Sequence, residues 1–175
     1  APEMIWFKKR DASASWLVMN THLTNPNDDY LILNSNNLNG SISGSWLTPT
    51  STEFGIGVSF SETNSSGSDY IAYLFASLDG ISKVGSFSHT SGTPTNVDCG
   101  FANGARFVVW KKFSASDGWQ VYDTARGITA GNDPFAQLNS TDAQTTNEDL
   151  IDPLSSGFTV SANKNSGDYI FYAIA

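Results

Sequence analysis

The sequence predicts an all-β fold, a two-sheet antiparallel β-sandwich in a single domain over residues 1–175, and three observations carry that prediction. Ser, Thr, Asn and Gly fill 69 positions, Lys, Arg, Asp and Glu only 26, and aromatics reach 13%, a mixture that favours short strands between polar turns. The apolar stretches are short and none sustains a period of 3.6, so any helix is expected to be brief. The third observation is that the chain matches itself.

An offset of 103 places Ile5 to His22 on Val108 to Ala125 with seven identities in eighteen: Lys8/Lys111, Lys9/Lys112, Ala12/Ala115, Ser13/Ser116, Trp16/Trp119, Val18/Val121 and Thr21/Thr124. An offset of 105 places Asn27 to Ser35 on Asn132 to Ser140, and one of 99 places Asp69 to Ala76 on Asp168 to Ala175. The blocks keep their order. Repeat one therefore spans 2–76 and repeat two 105–175, with a connecting segment 77–104 between them. Two repeats are too few for a solenoid, so the halves are expected to complete one another's core.

Strands are expected in order at Met4 to Phe7, Trp16 to Met19, Tyr30 to Leu33, Phe54 to Phe60, Tyr70 to Phe75 and Ile81 to Phe87. They continue at Arg106 to Trp110, Trp119 to Tyr122, Phe135 to Leu138, Phe158 to Val160 and Tyr169 to Ile174. Asn39-Gly40, Asp79-Gly80, Asn103-Gly104 and Asp117-Gly118 punctuate them, steps that accept positive φ in tight turns. About ten to twelve strands follow from that spacing. Strands that are apolar on both faces, as Asp168 to Ala175 is, belong mid-sheet with a cover on each side. The first and last residues run directly into strands, so a piece of a longer chain is the expectation.

Net charge is -8 with a sequence pI near 4.4, which disfavours phosphate backbones and anionic lipid as partners. No uncharged apolar run approaches the roughly 18 residues of a membrane span, and no signal-peptide pattern opens the chain. With one cysteine, Cys99, and two histidines, His22 and His89, neither an internal disulfide nor a structural zinc cluster can be assembled.

The chemistry-bearing residues favour plain structural roles. Glu53, Glu62, Glu148, Asp149 and Asp152 read as loop charges rather than a paired acid and base; His22 and His89 read as surface histidines without a nucleophile elbow. Cys99 reads as a small core residue, Gly55-Ile56-Gly57 as a strand, and Lys8, Lys9, Lys111 and Lys112 as solubilising edge charges. Trp16 and Trp119 suit a core stripe and also suit rings on which a sugar stacks. The turns at Asn27, Asp28 and Asp29 and at Asn132 and Asp133 are the candidate ligand-binding residues. Asn and Asp initiate such turns, but clustered loop oxygens also suit calcium, which wants about six to eight ligands where each turn shows two or three. No catalytic residue, resident cofactor or protein metal site is expected.

The phrases WQVYDTARG (Trp119 to Gly127), NDPFAQLNSTDAQ (Asn132 to Gln144), IDPLSSGFTV (Ile151 to Val160), DYIFYAIA, YIAYLFASLDGISKVGSF (Tyr70 to Phe87) and PEMIWFKKR resemble a family of concanavalin A-like β-sandwich modules of bacteriophage tail fibres and virion-surface proteins, especially from phages of marine bacteria. That resemblance implies a jelly roll, a place on the virion surface, and a non-enzymatic structural or host-recognition role. It implies as partners other virion proteins, copies of the chain itself, commonly in three-fold fibres, and a host surface glycan. Asp123 to Arg126 is expected as a turn closed by an ion pair, while Asn20 to Leu23 departs from that phrase in repeat one. A polysaccharide-binding lectin and a polysaccharide-degrading glycoside hydrolase are the alternatives on the same fold.

Overall fold

The computed structural model describes residues 1–57 and 62–175, and among these the chain is all-β, with antiparallel sheets consistent with a β-sandwich. One five-stranded sheet runs β4(Gly40–Ser41), β3(Asp29–Ile32), β2(Trp16–Asn20), β1(Met4–Lys9), β7(Tyr70–Phe75). A second runs β12(Ala136–Gln137), β11(Trp119–Asp123), β10(Phe107–Lys112), β15(Gly167–Ile174), β8(Ser82–His89). A three-stranded sheet, β13(Ile151–Leu154), β14(Gly157–Val160), β9(Thr95–Asp98), and a hairpin of β5(Trp46–Leu47) and β6(Gly55–Ile56) complete the set.

Alternation along the strands explains why four sheets stand where two were expected. Met4 and Trp6 of β1 join Val109 of β10 and Ile170 of β15 in a middle core, so the two large sheets face one another. Ile5 and Phe7 point the other way, into a core closed by Trp46 of the hairpin. Val108 and Trp110 likewise point outward, into a core closed by Phe158 and Val160 of the three-stranded sheet. Each large sheet is thus apolar on both faces, and each has its own cover.

Strand order and register correspond between the halves. Ile5 pairs with Met19 and Leu74; Val108 pairs with Tyr122 and Ala173. Lys8 opposes Trp16 as Lys111 opposes Trp119, and Lys9 opposes Tyr70 as Lys112 opposes Tyr169. Asn34 Oδ1 accepts from Trp16 N (2.9 Å) as Asn139 Oδ1 accepts from Trp119 N (2.6 Å). The outer core of the second sheet is the more aromatic: Phe87 stacks on Tyr169 (4.9 Å, 8°) and Trp110 leans on Tyr122 (4.7 Å). The main difference between the halves is β8, which lies along β15 over eight residues, whereas β7 has only β1 beside it among the described residues.

Several expectations are revised. The polar or proline-bearing strands β4, β9 and β13, and the two-residue β5, lack the apolar run by which the others were anticipated, and the strand expected over Phe54 to Phe60 survives at Gly55–Ile56, with residues 58–61 lying outside the described set. Lys111 is not an edge charge: β10 is central, and the buried ammonium donates to the carbonyls of Lys112 (2.9 Å), Asp117 (2.9 Å) and Asn36 (3.3 Å). Burial lowers its pKa to about 8 despite the nearby Asp117 carboxylate. Gly80 and Gly104 take the expected positive φ, but Gly40 and Gly118 answer to crowding instead, since a Cβ would lie 2.5 Å from the Tyr30 ring or 2.6 Å from Gln137 Oε1.

Candidate functional site

The two anticipated turns are built alike, one residue out of the expected alignment. Asp29 is buried at the head of β3, and its Oδ2 accepts from Asn25 N four residues back (3.0 Å). Asp133, also buried, accepts from Thr129 N four residues back (2.8 Å), so the partner of Asp133 is Asp29 and not Asp28. Its second oxygen accepts from Ile151 N (3.3 Å) and so fastens the turn to β13. Asp28 accepts from Gly44 N (2.7 Å), and Asn27 accepts from Thr48 Oγ1 (3.3 Å), ties that seat the β5 hairpin carrying Trp46. At least one oxygen of each carboxylate at these turns accepts from a backbone N–H. Among the described residues no group of three or more His, Cys, Asp or Glu side chains is arranged to hold a metal ion.

Burial raises the Asp133 pKa, outweighing the two backbone N–H groups that favour its charge, with Asp149 and Asp152 adding to the rise. A carboxylate raised on folding stabilises most below its unfolded pKa, and that contribution is lost as pH climbs through the folded value. Asp133→Ala is expected to cost about 2–4 kcal/mol, because the part-buried Thr129 N–H and the buried Ile151 N–H both lose their acceptor, against about 1 kcal/mol for Asp28→Ala. Urea unfolding of both variants checks the order, and equal losses would contradict it. Relative to Asp133→Asn, the unmodified chain should lose stability as pH rises from the ordinary carboxylate range.

Beside this turn lies a polar groove of about 350 Å³ lined by Asn132, Asn147, Glu148, Asp149, Leu150 and Asn163. Asp133 N donates to Glu148 O (2.8 Å), which draws the strand-free stretch before β13 against the turn. Asn163 Nδ2 donates to Asp149 O (3.2 Å) and Oδ2 (3.4 Å), while Asp149 Oδ1 is buried without a partner. Of these, only Asn132 was a sequence candidate. Glu148 and Asp149 read as loop charges, and the backbone bond that gathers them has no signature in side-chain types.

The classical nucleophiles are held in place. Burial pushes the Cys99 thiol up to about 12, with Asp98 adding to it. His89 is not a loop histidine but sits buried on β8, its ring nitrogens bonded to Thr95 Oγ1 (2.9 Å) and Lys164 O (3.0 Å). His22 is exposed, and partial desolvation of its ring lowers its pKa. Lys164 is a feature with no sequence signal: buried, it donates to Asp117 Oδ2 (3.0 Å) and Gln120 Oε1 (2.7 Å) over the rings of Trp110 and Tyr169. Arg126 closes its turn as expected, with Nε 2.8 Å from Asp123 Oδ2, and Asn20 Oδ1 substitutes in the first half by accepting from His22 N (2.8 Å).

The sequence profile of a family described as a domain of unknown function (DUF7483) matches residues 1–175, so the chain belongs to that family. No curated protein and no solved structure matches it.

Proposed function

We propose that this DUF7483 member is a non-enzymatic structural module of a bacteriophage tail fibre or surface fibre, exposed on the virion, that contacts glycan of the host envelope and associates with other virion proteins and with copies of itself. The observation that carries the reading is the use of carboxylates: Asp28, Asp29 and Asp133 accept from backbone N–H groups, an arrangement suited to fixing loops and not to proton transfer. A concanavalin A-like jelly roll made of two repeats is part of the same proposal. The matched registers of the two large sheets and the paired roles of Asn34 with Asn139 and Asp29 with Asp133 support the repeats.

The groove at Asn132, Asn147 and Asn163 is the proposed glycan contact. Its amides suit sugar hydroxyls, and Glu148 and Asp149 favour neutral or cation-bridged saccharides. Each contact is weak, and copies along a fibre raise the effective concentration. A multimerised module with Asn132→Ala and Asn147→Ala is expected to bind a panel of immobilised neutral bacterial polysaccharides about tenfold less than the unmodified one. Undiminished binding removes the groove, and release of reducing ends from any polysaccharide removes the non-enzymatic reading.

A lectin with its own monovalent affinity is the second reading. It is favoured by half-buried Trp16 beside exposed Tyr73, ring centroids 6.0 Å apart at 33°. Free oligosaccharide quenching Trp fluorescence in the single module, and losing that effect on Trp16→Ala, would select it.

A further inference from the structure

A sheet edge carries unpaired N–H and C=O groups, and folded chains blunt it by shortness, charge, proline or a cap. Every other sheet edge among the described residues has such a device. β4, β5, β6 and β12 are two residues long. β13 carries Asp152 and Pro153, and β9 is four residues with Asn96 and Asp98 exposed. On β8, Ser82 exchanges backbone bonds with Leu78 (2.9 Å each), and the Ser77 hydroxyl caps both Val84 N (3.1 Å) and Val84 O (3.4 Å).

β7 has none of these. It is six residues long, Tyr-Ile-Ala-Tyr-Leu-Phe, without charge or proline, and it exposes Leu74 (54%), Tyr73 (47%) and Ile71 (38%). The matching strand of the second half, β15, is not left at an edge, because β8 covers it along its whole length.

We infer that β7 is the contact by which two copies of this chain associate, edge to edge and antiparallel about a two-fold axis at Ala72. The register follows from the backbone. Arg10 N donates to Asp69 O (2.8 Å), so Ile71, Tyr73 and Phe75 spend their N–H and C=O groups on Lys8, Trp6 and Met4. The groups of Tyr70, Ala72 and Leu74 point away from the sheet. Only a register that sets these residues opposite one another forms bonds, and centring it on Ala72 sets Tyr70 against Leu74 of the second copy and Ile71 against its Tyr73. Those cross-strand pairs are aromatic on aliphatic, the self-complementary combination a two-fold contact needs. Asp69 falls opposite Phe75 of the second copy and not opposite its own counterpart, so no like charges meet. The two five-stranded sheets become one of ten.

This inference deepens the self-association part of the proposal above and rests on it; the test reads association alone, so a failure of glycan binding leaves it intact. The 175-residue chain should sediment as a dimer, and Tyr73→Lys with Leu74→Lys, both exposed, should weaken dimerisation about 100-fold or more while leaving the unfolding midpoint close to that of the unmodified monomer. Ala72→Cys should form a disulfide-linked dimer under mild oxidation, since a two-fold at that residue brings two Cα atoms within bridging range, whereas Tyr70→Cys should not. Buried Cys99 gives the unmodified chain as a silent control. A monomer at roughly 100 μM overturns the proposal. So do a trimer, a dimer indifferent to the lysines, cross-linking at Tyr70→Cys but not at Ala72→Cys, or capture of a synthetic Ser82–His89 peptide by a chain that stays monomeric, which would make the occupant a β8-like strand instead.

Discussion

Trp119→Ala should destabilise the chain by about 3–5 kcal/mol, and Trp16→Ala, at the same register of the other large sheet, by only about 1–2 kcal/mol. Trp119 is 1% exposed in the middle core, and its Nε1 donates to Ile32 O at 2.9 Å, a bond between the two halves. Truncation removes the ring, opens a cavity between the large sheets and leaves the Ile32 carbonyl with Ser35 N (3.2 Å) alone as donor. Trp16 keeps one side toward solvent. Its neighbour Tyr73 is exposed too, so water fills what the ring vacates. Denaturant unfolding of the two single variants measures the gap. Equal costs would mean that the middle core is not the principal junction of the halves.

The second large effect is expected at Lys164. Lys164→Ala should cost about 3–5 kcal/mol, and Lys164→Met about 2 kcal/mol, because Met preserves the stem over the Trp110 and Tyr169 rings and loses only the charge. Gln120 Oε1 keeps a donor in either variant, Trp110 Nε1 at 2.6 Å. Asp117, with 22% of its side chain exposed, regains water and takes Gly118 N at 2.8 Å. Asp117→Asn, which leaves the buried Lys164 ammonium without its counter-charge, should therefore cost at least as much as Lys164→Met, and the double variant less than the sum of the two. Thermal unfolding of the four proteins gives the coupling. Strict additivity would show that the ion pair contributes nothing beyond its separate members.

What the sequence reveals and conceals follows from the kind of interaction involved. β1, β2, β7, β10, β11 and β15 are legible because each is a run of large apolar residues bounded by turns, and their pairing is foreshadowed by the recurring phrases. Apolarity on both faces of β15 likewise announced a double cover. The covers were only partly visible: Phe158 to Val160 shows as a strand, but Thr95–Asp98 is mostly polar, Ile151–Leu154 contains a proline, and Trp46 is a lone ring whose placement depends on Asp28 and Asn27 holding the hairpin. Of the candidate site, the turn residues were legible as turn formers. Their groove was not, because backbone bonds such as Asp133 N to Glu148 O bring remote loops together regardless of side-chain type. Lys111 shows the same limit, since a charge on a central strand reads from sequence like a charge on an edge one.

The position of β15 between β10 and β8 has a kinetic consequence. Those two neighbours are flanked by the same last strand, which arrives some 80 residues after β8 in the chain, and until then β8 has no strand beside it beyond the local Leu78–Ser82 bridge, and that side of β10 has none. Closing such long loops before any contact rewards them makes folding slow, on the millisecond-to-second scale of β-rich topologies. A chain emerging from the ribosome thus holds β8 without a neighbouring strand for most of the synthesis of its second half, and it is the eight-residue β15 that commits the second sheet.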